Sequence, residues 1–224
     1  MKKSLSAIKR SDLAQVARLH DVGVVDEPWD TFAQTSLSSD EQLEITKLVR
    51  RFRGLHASLI NEATLWSRLI YPLLVLAERG NVRAWAEVPI SGQLGELEVD
   101  GVVDGALALG GADSPALPLL IVIECKRGTE ATSPVDALYA ALMCLASGEP
   151  KRPRYGCYTV GDDWTFAELK WGASKTSKGS IEIKTSREYD EKTEASTILS
   201  VLKAIVDKEL SAIETEVVST SARG

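Results

Sequence analysis

Between Asp40 and Leu59 apolar side chains return every three or four residues, at Ile45, Leu48, Val49, Phe52, Leu55 and Leu59. That spacing predicts one buried face of an α-helix. The same period runs from Asn61 to Ala77 through Leu65, Trp66, Leu69, Ile70 and Leu73, with Pro72 predicting a kink or a restart. Glu62 falls on that stripe, so its carboxylate belongs either at the rim of the core or in a cleft. After Gly80-Asn81 the period shortens. Val82 to Ile90 reads as a strand, Ser91-Gly92 as a turn, and Leu97 to Leu109 as one long bent strand or two short ones broken near Asp100-Gly101. Gly110 to Pro118 reads as a loop. Leu119 to Lys126 is apolar without alternation until its last residues, the mark of a strand covered on both faces.

Pro134 to Ala146 resumes the helical period and ends near Gly148-Glu149-Pro150. Arg154 to Val160 and Trp164 to Lys170 read as a hairpin around Gly161-Asp162-Asp163, followed by a loop at Lys175 to Gly179 and an edge strand at Ile181 to Thr185. Thr193 to Val217 is a long amphipathic helix through Ile198, Leu199, Leu202, Ile205, Val206, Leu210 and Ile213. Upstream, Ser11-Asp12 predicts the cap of a short helix reaching His20, and Gly23 to Ser39 has the Gly, Pro and Ser content of a loop. This alternation of helices and strands favours an α/β fold, a central mixed sheet flanked by helices, over a bundle or a sandwich. The expected division is an N-terminal arm or linker over 1–39, one domain over 40–217 that ends in the long helix, and a flexible tail over 218–224.

Composition narrows the picture. A chain of 224 residues with 44% apolar content supports one sizeable core. It holds no apolar run of the roughly 18–20 residues that a bilayer requires. Cys125, Cys144 and Cys157 show neither metal-finger spacing nor a disulfide framework, which points to a reducing cytoplasm. His20 and His56 are too few for a histidine-rich metal centre. A net charge of −6 opposes a general electrostatic grip on nucleic acid, although a local groove can be basic. Cations gather at Lys126-Arg127, at Lys151-Arg152-Arg154 and between Lys170 and Lys192. Trp171, near Lys175 and Lys178, is the better candidate for a base contact, whereas Trp66 and Trp164 read as core.

The chemistry concentrates where the apolar strand ends, at Glu124-Cys125-Lys126. Alternation along a strand projects Glu124 and Lys126 to one face and Cys125 to the other. Asp104, in Val-Val-Asp-Gly-Ala, is a lone acid among small apolar neighbours and needs a cation or hydrogen bonds. Asp100 competes for the same role, but Glu96, Glu98 and Asp100 alternate as exposed residues do. Adjacent strands could bring Asp104, Glu124 and Lys126 together. Two carboxylates without histidine suit Mg²⁺ or Mn²⁺, and such an ion would activate water for attack on a phosphodiester, assisted by Lys126. The plainer reading is an ion pair at a strand end.

Asp104 followed by Glu124-x-Lys126 after an apolar strand resembles the PD-(D/E)XK nuclease superfamily, across about residues 60 to 170. No proline precedes the aspartate here. The resemblance implies a restriction-endonuclease-like core, Asp104 and Glu124 as metal ligands, Lys126 as the catalytic lysine, and Glu62 as a helix-borne acid joining the metal site. Some members carry a glutamine and a tyrosine on the following helix; here Asp136 and Tyr139 occupy that region, and that motif is not carried over. The leading expectation is therefore a Mg²⁺-dependent DNA nuclease, with DNA as partner and a homodimer or higher homo-oligomer as an option. The alternative is a catalytically silent nuclease-like module that binds nucleic acid or a protein partner, or self-associates. No membrane role is expected.

Overall fold

The computed structural model describes residues 1–54, 56, 59–111, 114–126, 134–147, 152–172 and 179–221, with side chains of the last helix as far as residue 215. The expectations placed on Leu55, Arg127, Gly148-Glu149-Pro150, Lys151, Lys175, Lys178 and the last three residues lie outside this set.

The central strand is β5 (Pro115–Lys126), and every side chain from Leu119 to Cys125 is buried. A strand buried on both faces needs cover on both faces. One face, with Ile121, Ile123 and Cys125, belongs to a core that draws on α2 (Trp29–Ala33), α3 (Ser39–Phe52), α5 (Tyr71–Leu76) and α7 (Glu191–Ser221). The other, with Val122, belongs to a core built on α6 (Val135–Ser147). The molecule is thus a mixed α/β fold in which a central sheet runs between two helical layers.

Sheet order explains how the site is assembled. Strand β4 (Leu97–Gly110) pairs antiparallel with β3 (Val82–Leu94) along one edge. Along its other edge it takes β1 (Lys2–Ser4) in parallel over its first residues and β5 antiparallel over its last ones. Beyond β5 come β6 (Arg154–Val160) in parallel, then β7 (Asp163–Gly172), β8 (Gly179–Thr185) and β2 (Ala17–Val24). The short β9 (Tyr189–Asp190) adds to β7. The parallel β5–β6 pair requires a crossover, and α6 supplies it.

Several boundaries differ from the sequence reading. The helix expected to reach His20 is α1 (Arg10–Val16), and the chain then turns into β2, which pairs in parallel with the distant β8. The stretch 23–39 contains α2, whose Trp29 and Phe32 are core residues, so the first 39 residues contribute two strands and two aromatic anchors to the common fold. The helix expected over Asn61 to Ala77 is divided into α4 (Glu62–Leu65), a π turn (Trp66–Ile70) and α5. A π turn widens the backbone ring by one residue. Pro72 sits at the start of α5, where its missing N–H costs nothing. Among the described residues no helix is long and apolar enough to cross a membrane.

Trp29 is 1% exposed and packs edge-on to Phe32 and Tyr155 and nearly parallel to Phe166, with ring centroids 5.9–6.4 Å apart. Trp29→Ala is expected to lower unfolding free energy by about 3–5 kcal/mol. Denaturant unfolding followed at once by tryptophan fluorescence and far-ultraviolet circular dichroism should remain a single transition. Two separated transitions would show that the N-terminal segment is an appendage.

Candidate functional site

The site forms where β4 and β5 run past their helical cover. Gly105 pairs with Ile123 and Ala106 with Val122, and continuing that register by one residue places Asp104 across from Glu124. Facing residues on neighbouring strands point to the same side. On the opposite edge, β3 pairs Ala86 with Gly105 and Val88 with Val103, which leaves Glu87 facing Asp104. Glu87 has a φ of 53°, the left-handed region that non-glycine residues seldom occupy, and it interrupts the ladder there. Behind these acids, the ring of Trp66 lies over Gly105 so closely that a Cβ on the glycine would overlap it. The π turn thus seats Trp66 on β4, on the face opposite Asp104, and α4 just before it carries Glu62.

The side chains expected from the sequence do come together. Asp104 accepts a hydrogen bond from the Cys125 backbone N–H at 2.5 Å. Lys126 reaches back to the Cys125 carbonyl at 2.8 Å and lies 3.5 Å from Glu62. Glu124 is 6% exposed, and among the described residues its buried Oε1 has no hydrogen-bond partner. Burial, and then the charge of Asp104, push the Glu124 carboxyl up to about 8. Burial also raises Asp104, against the opposing pull of the Cys125 N–H and Lys126. Lys126 is raised despite its burial, because Asp104, Glu62 and Glu124 all favour its charged form. Asp100 is elsewhere, 3.3 Å from Lys2, which resolves its competition with Asp104.

This arrangement overturns the metal-dependent nuclease expected from the sequence. Among the described residues no group of three or more His, Cys, Asp or Glu side chains is placed to hold a metal ion. The local reasons are visible. One oxygen of Asp104 is engaged by a backbone N–H, the ammonium of Lys126 lies among the carboxylates, and Glu124 is buried and holds its proton at neutral pH. The Mg²⁺ or Mn²⁺ requirement falls with that finding, and so does the description of the chain as a hydrolase or an endonuclease. The described residues also give no evidence of a DNA-binding surface or of an interface between copies.

Other candidates resolve into packing. Tyr139 is core, with the Arg10 guanidinium over its ring at 4.8 Å. Trp164 is buried and donates from Nε1 to Glu191 at 2.8 Å. Cys125 lies in the core, and burial raises its thiol to about 12, so it is no nucleophile. One feature escaped the sequence reading. Glu191, 1% exposed, is a second buried carboxyl raised by burial to about 8. Its only sequence signal is an acid at the head of a strongly apolar helix. No protein-family model matches the chain, and a search of curated proteins finds no relative. Support for the PD-(D/E)XK reading is therefore confined to the architecture.

The raised carboxyls set a pH dependence. An acid that holds its proton more tightly folded than unfolded stabilises the fold below its unfolded value near 4.5, and that contribution is lost as pH rises through about 8. Stability should therefore fall between about pH 5 and pH 9. Glu124→Gln should flatten the profile and gain about 2–4 kcal/mol at the alkaline end, with a small effect near the acid end. Melting temperatures measured across that range test it. Parallel profiles for the two proteins would mean that Glu124 titrates normally.

Proposed function

We propose that the chain is a non-hydrolytic binding module on a restriction-endonuclease-like scaffold, and that the mouth formed by Glu62, Asp104 and Glu124 around Lys126 receives a cationic side chain from a protein partner. The observation that carries this reading is the buried Glu124 oxygen, which has no donor among the described residues. An unpaired polar atom in a water-poor site is costly, and a donor arriving from outside removes the cost. The sign of that donor follows from its surroundings. Among the described residues the charges of Glu62 and Asp104, with Glu87 beside Asp104, gather about a single ammonium, Lys126, while Glu124 holds its proton, so the mouth disfavours phosphates and attracts an arginine or lysine. A fixed acceptor favours recognition by shape as well as charge: Asp104 is tied to the backbone of β5.

The finer likeness to the PD-(D/E)XK core is supported by the placement of its elements. An acid on β4 faces an acid on β5, a lysine follows two residues later, and a helix bearing Glu62 closes the end. In this reading the same scaffold positions recognise a partner and carry no hydrolysis.

The test uses a blocked Gly-Arg-Gly peptide and its citrulline twin, which has nearly the same shape without the charge. The arginine peptide should shift the backbone amides of Asp104, Cys125 and Lys126 in ¹H–¹⁵N spectra, and the citrulline peptide should not. Combined Glu62→Gln and Glu124→Gln should weaken binding roughly tenfold or more, the scale of a lost charge-assisted hydrogen bond. Equal responses to the two peptides would overturn the reading. So would cleavage of duplex DNA that disappears in Lys126→Ala.

A further inference from the structure

A second surface of opposite sign lies between the C-terminal end of α3 and the first turn of α7. There the two helices enclose a groove of about 370 Å³. Its apolar lining comes from Ile45, Val49 and Ala195. Arg50, Arg53 and Lys192 supply its charge, and Thr46, Thr193 and Ser196 supply hydroxyls. No acid lines it among the described residues, although acids outnumber bases in the chain by 32 to 26.

The neighbouring carboxylates are already engaged, two of them by residues of the groove itself. Asp190 accepts from the N–H and the hydroxyl of Thr193 at 3.0 and 3.2 Å, Glu194 pairs with Arg187, and Asp162 pairs with Lys192. Among the described residues the guanidiniums of Arg50 and Arg53 have no hydrogen-bond or ion-pair partner. Arginines in the last turn of a helix offset its dipole, which accounts for their presence on α3. It does not account for the acid-free lining of the groove. The opposite wall adds to the same field. The backbone of Glu194 is non-helical, so the continuous part of α7 begins at Ala195, and its positive end lies against the groove.

The geometry points to this groove as a receptor for a phosphomonoester carried on a peptide, an inference that rests on the protein-binding reading above but uses a different face of the molecule. Two free guanidiniums match a dianion with several acceptor oxygens, Lys192 adds charge that it shares with Asp162, and the Ser196 hydroxyl lies in the same lining. The apolar lining fits the neighbouring residues of a peptide. Duplex DNA suits it less, because a duplex engages a track of phosphates along an extended basic stripe, and this positive surface is one short groove on an acidic chain. Recognition of a phosphorylated segment by a small arginine cluster needs no such track.

The experiment uses the full chain and three probes: the pentapeptide Gly-Gly-phosphoserine-Gly-Gly, its unphosphorylated twin, and a short DNA duplex. The phosphopeptide should shift the amides of Thr46, Arg50, Thr193 and Ser196, with the twin at least tenfold weaker. Combined Arg50→Gln and Arg53→Gln, both at exposed positions, should reduce phosphopeptide affinity at least tenfold and leave the melting temperature unchanged. Glu124→Gln should not alter it. Absence of shifts at about 10 mM phosphopeptide, or equal binding of the twin, overturns the proposal. Tighter binding of the duplex, lost in the arginine variant, overturns it in favour of nucleic acid. Loss of phosphopeptide binding in Glu124→Gln would mean that the two faces are not separate. Failure of the arginine peptide at the acidic mouth, with the groove still binding, would sink the earlier reading alone.

Discussion

Burial of β5 on both faces is the constraint from which most of the molecule follows. A strand whose side chains are apolar from Leu119 to Ile123 cannot lie at a surface, so α6 must cover one side and α7 with α2, α3 and α5 the other. The parallel neighbour β6 follows from the crossover through α6. The position of the site follows as well. Polar residues can join this strand only where its cover ends, and Glu124 and Lys126 stand there, opposite the acid of β4. Even so, Glu124 remains inside the boundary, and the cost of that burial is visible as a carboxyl that keeps its proton near neutrality.

Strand β4 turns that core into a larger sheet because it serves three partners. Its length lets β1 and β5 share one edge while β3 takes the other. Small residues make this possible. A Cβ at Gly101 would strike Leu5, and one at Gly105 would strike Trp66, so the strand accepts close packing at both ends. Trp66 could not otherwise lie against β4, and the π turn that carries it would lose its seat. The same economy of space binds the N-terminal segment into the fold: Leu5 packs on β4, and Trp29 packs between Tyr155 and Phe166.

The sequence made β5 and the long helices readable because period and burial are local properties. Ile45, Leu48 and Phe52 announce α3 from their spacing alone, and its capping box at Ser38 and Glu41 agrees. Strand β2 was not readable. Ala-Arg-Leu-His-Asp-Val-Gly-Val has no sustained alternation, and its strand character comes from pairing with β8, over 150 residues away in the chain. Three-residue β1 gives still less signal. At the site, the identities of Asp104, Glu124, Lys126 and Glu62 were legible, as was their convergence. Their protonation and the seat of Lys126 were not. Those depend on distances of a few ångströms and on the depth of burial, and they decide whether three carboxylates form a metal cage or a pocket for a cation.

Net charge was the least informative number, and the reason is spatial. Acids crowd the end of the sheet, where among the described residues Lys126 is the ammonium they share. Bases line the groove between α3 and α7, where the nearest acids are engaged by a helix cap, by Arg187 or by the groove's own Lys192. Charges separated by more than about a Debye length, near 8–10 Å in physiological salt, act nearly independently. A modest overall excess of acid therefore says little about either surface. A ligand meets the local arrangement. In the two readings proposed above, the acidic mouth would disfavour phosphates and the groove would disfavour an arginine. Surfaces of opposite sign on one chain suit a partner that brings both a basic and an anionic feature better than a uniform polyanion such as duplex DNA.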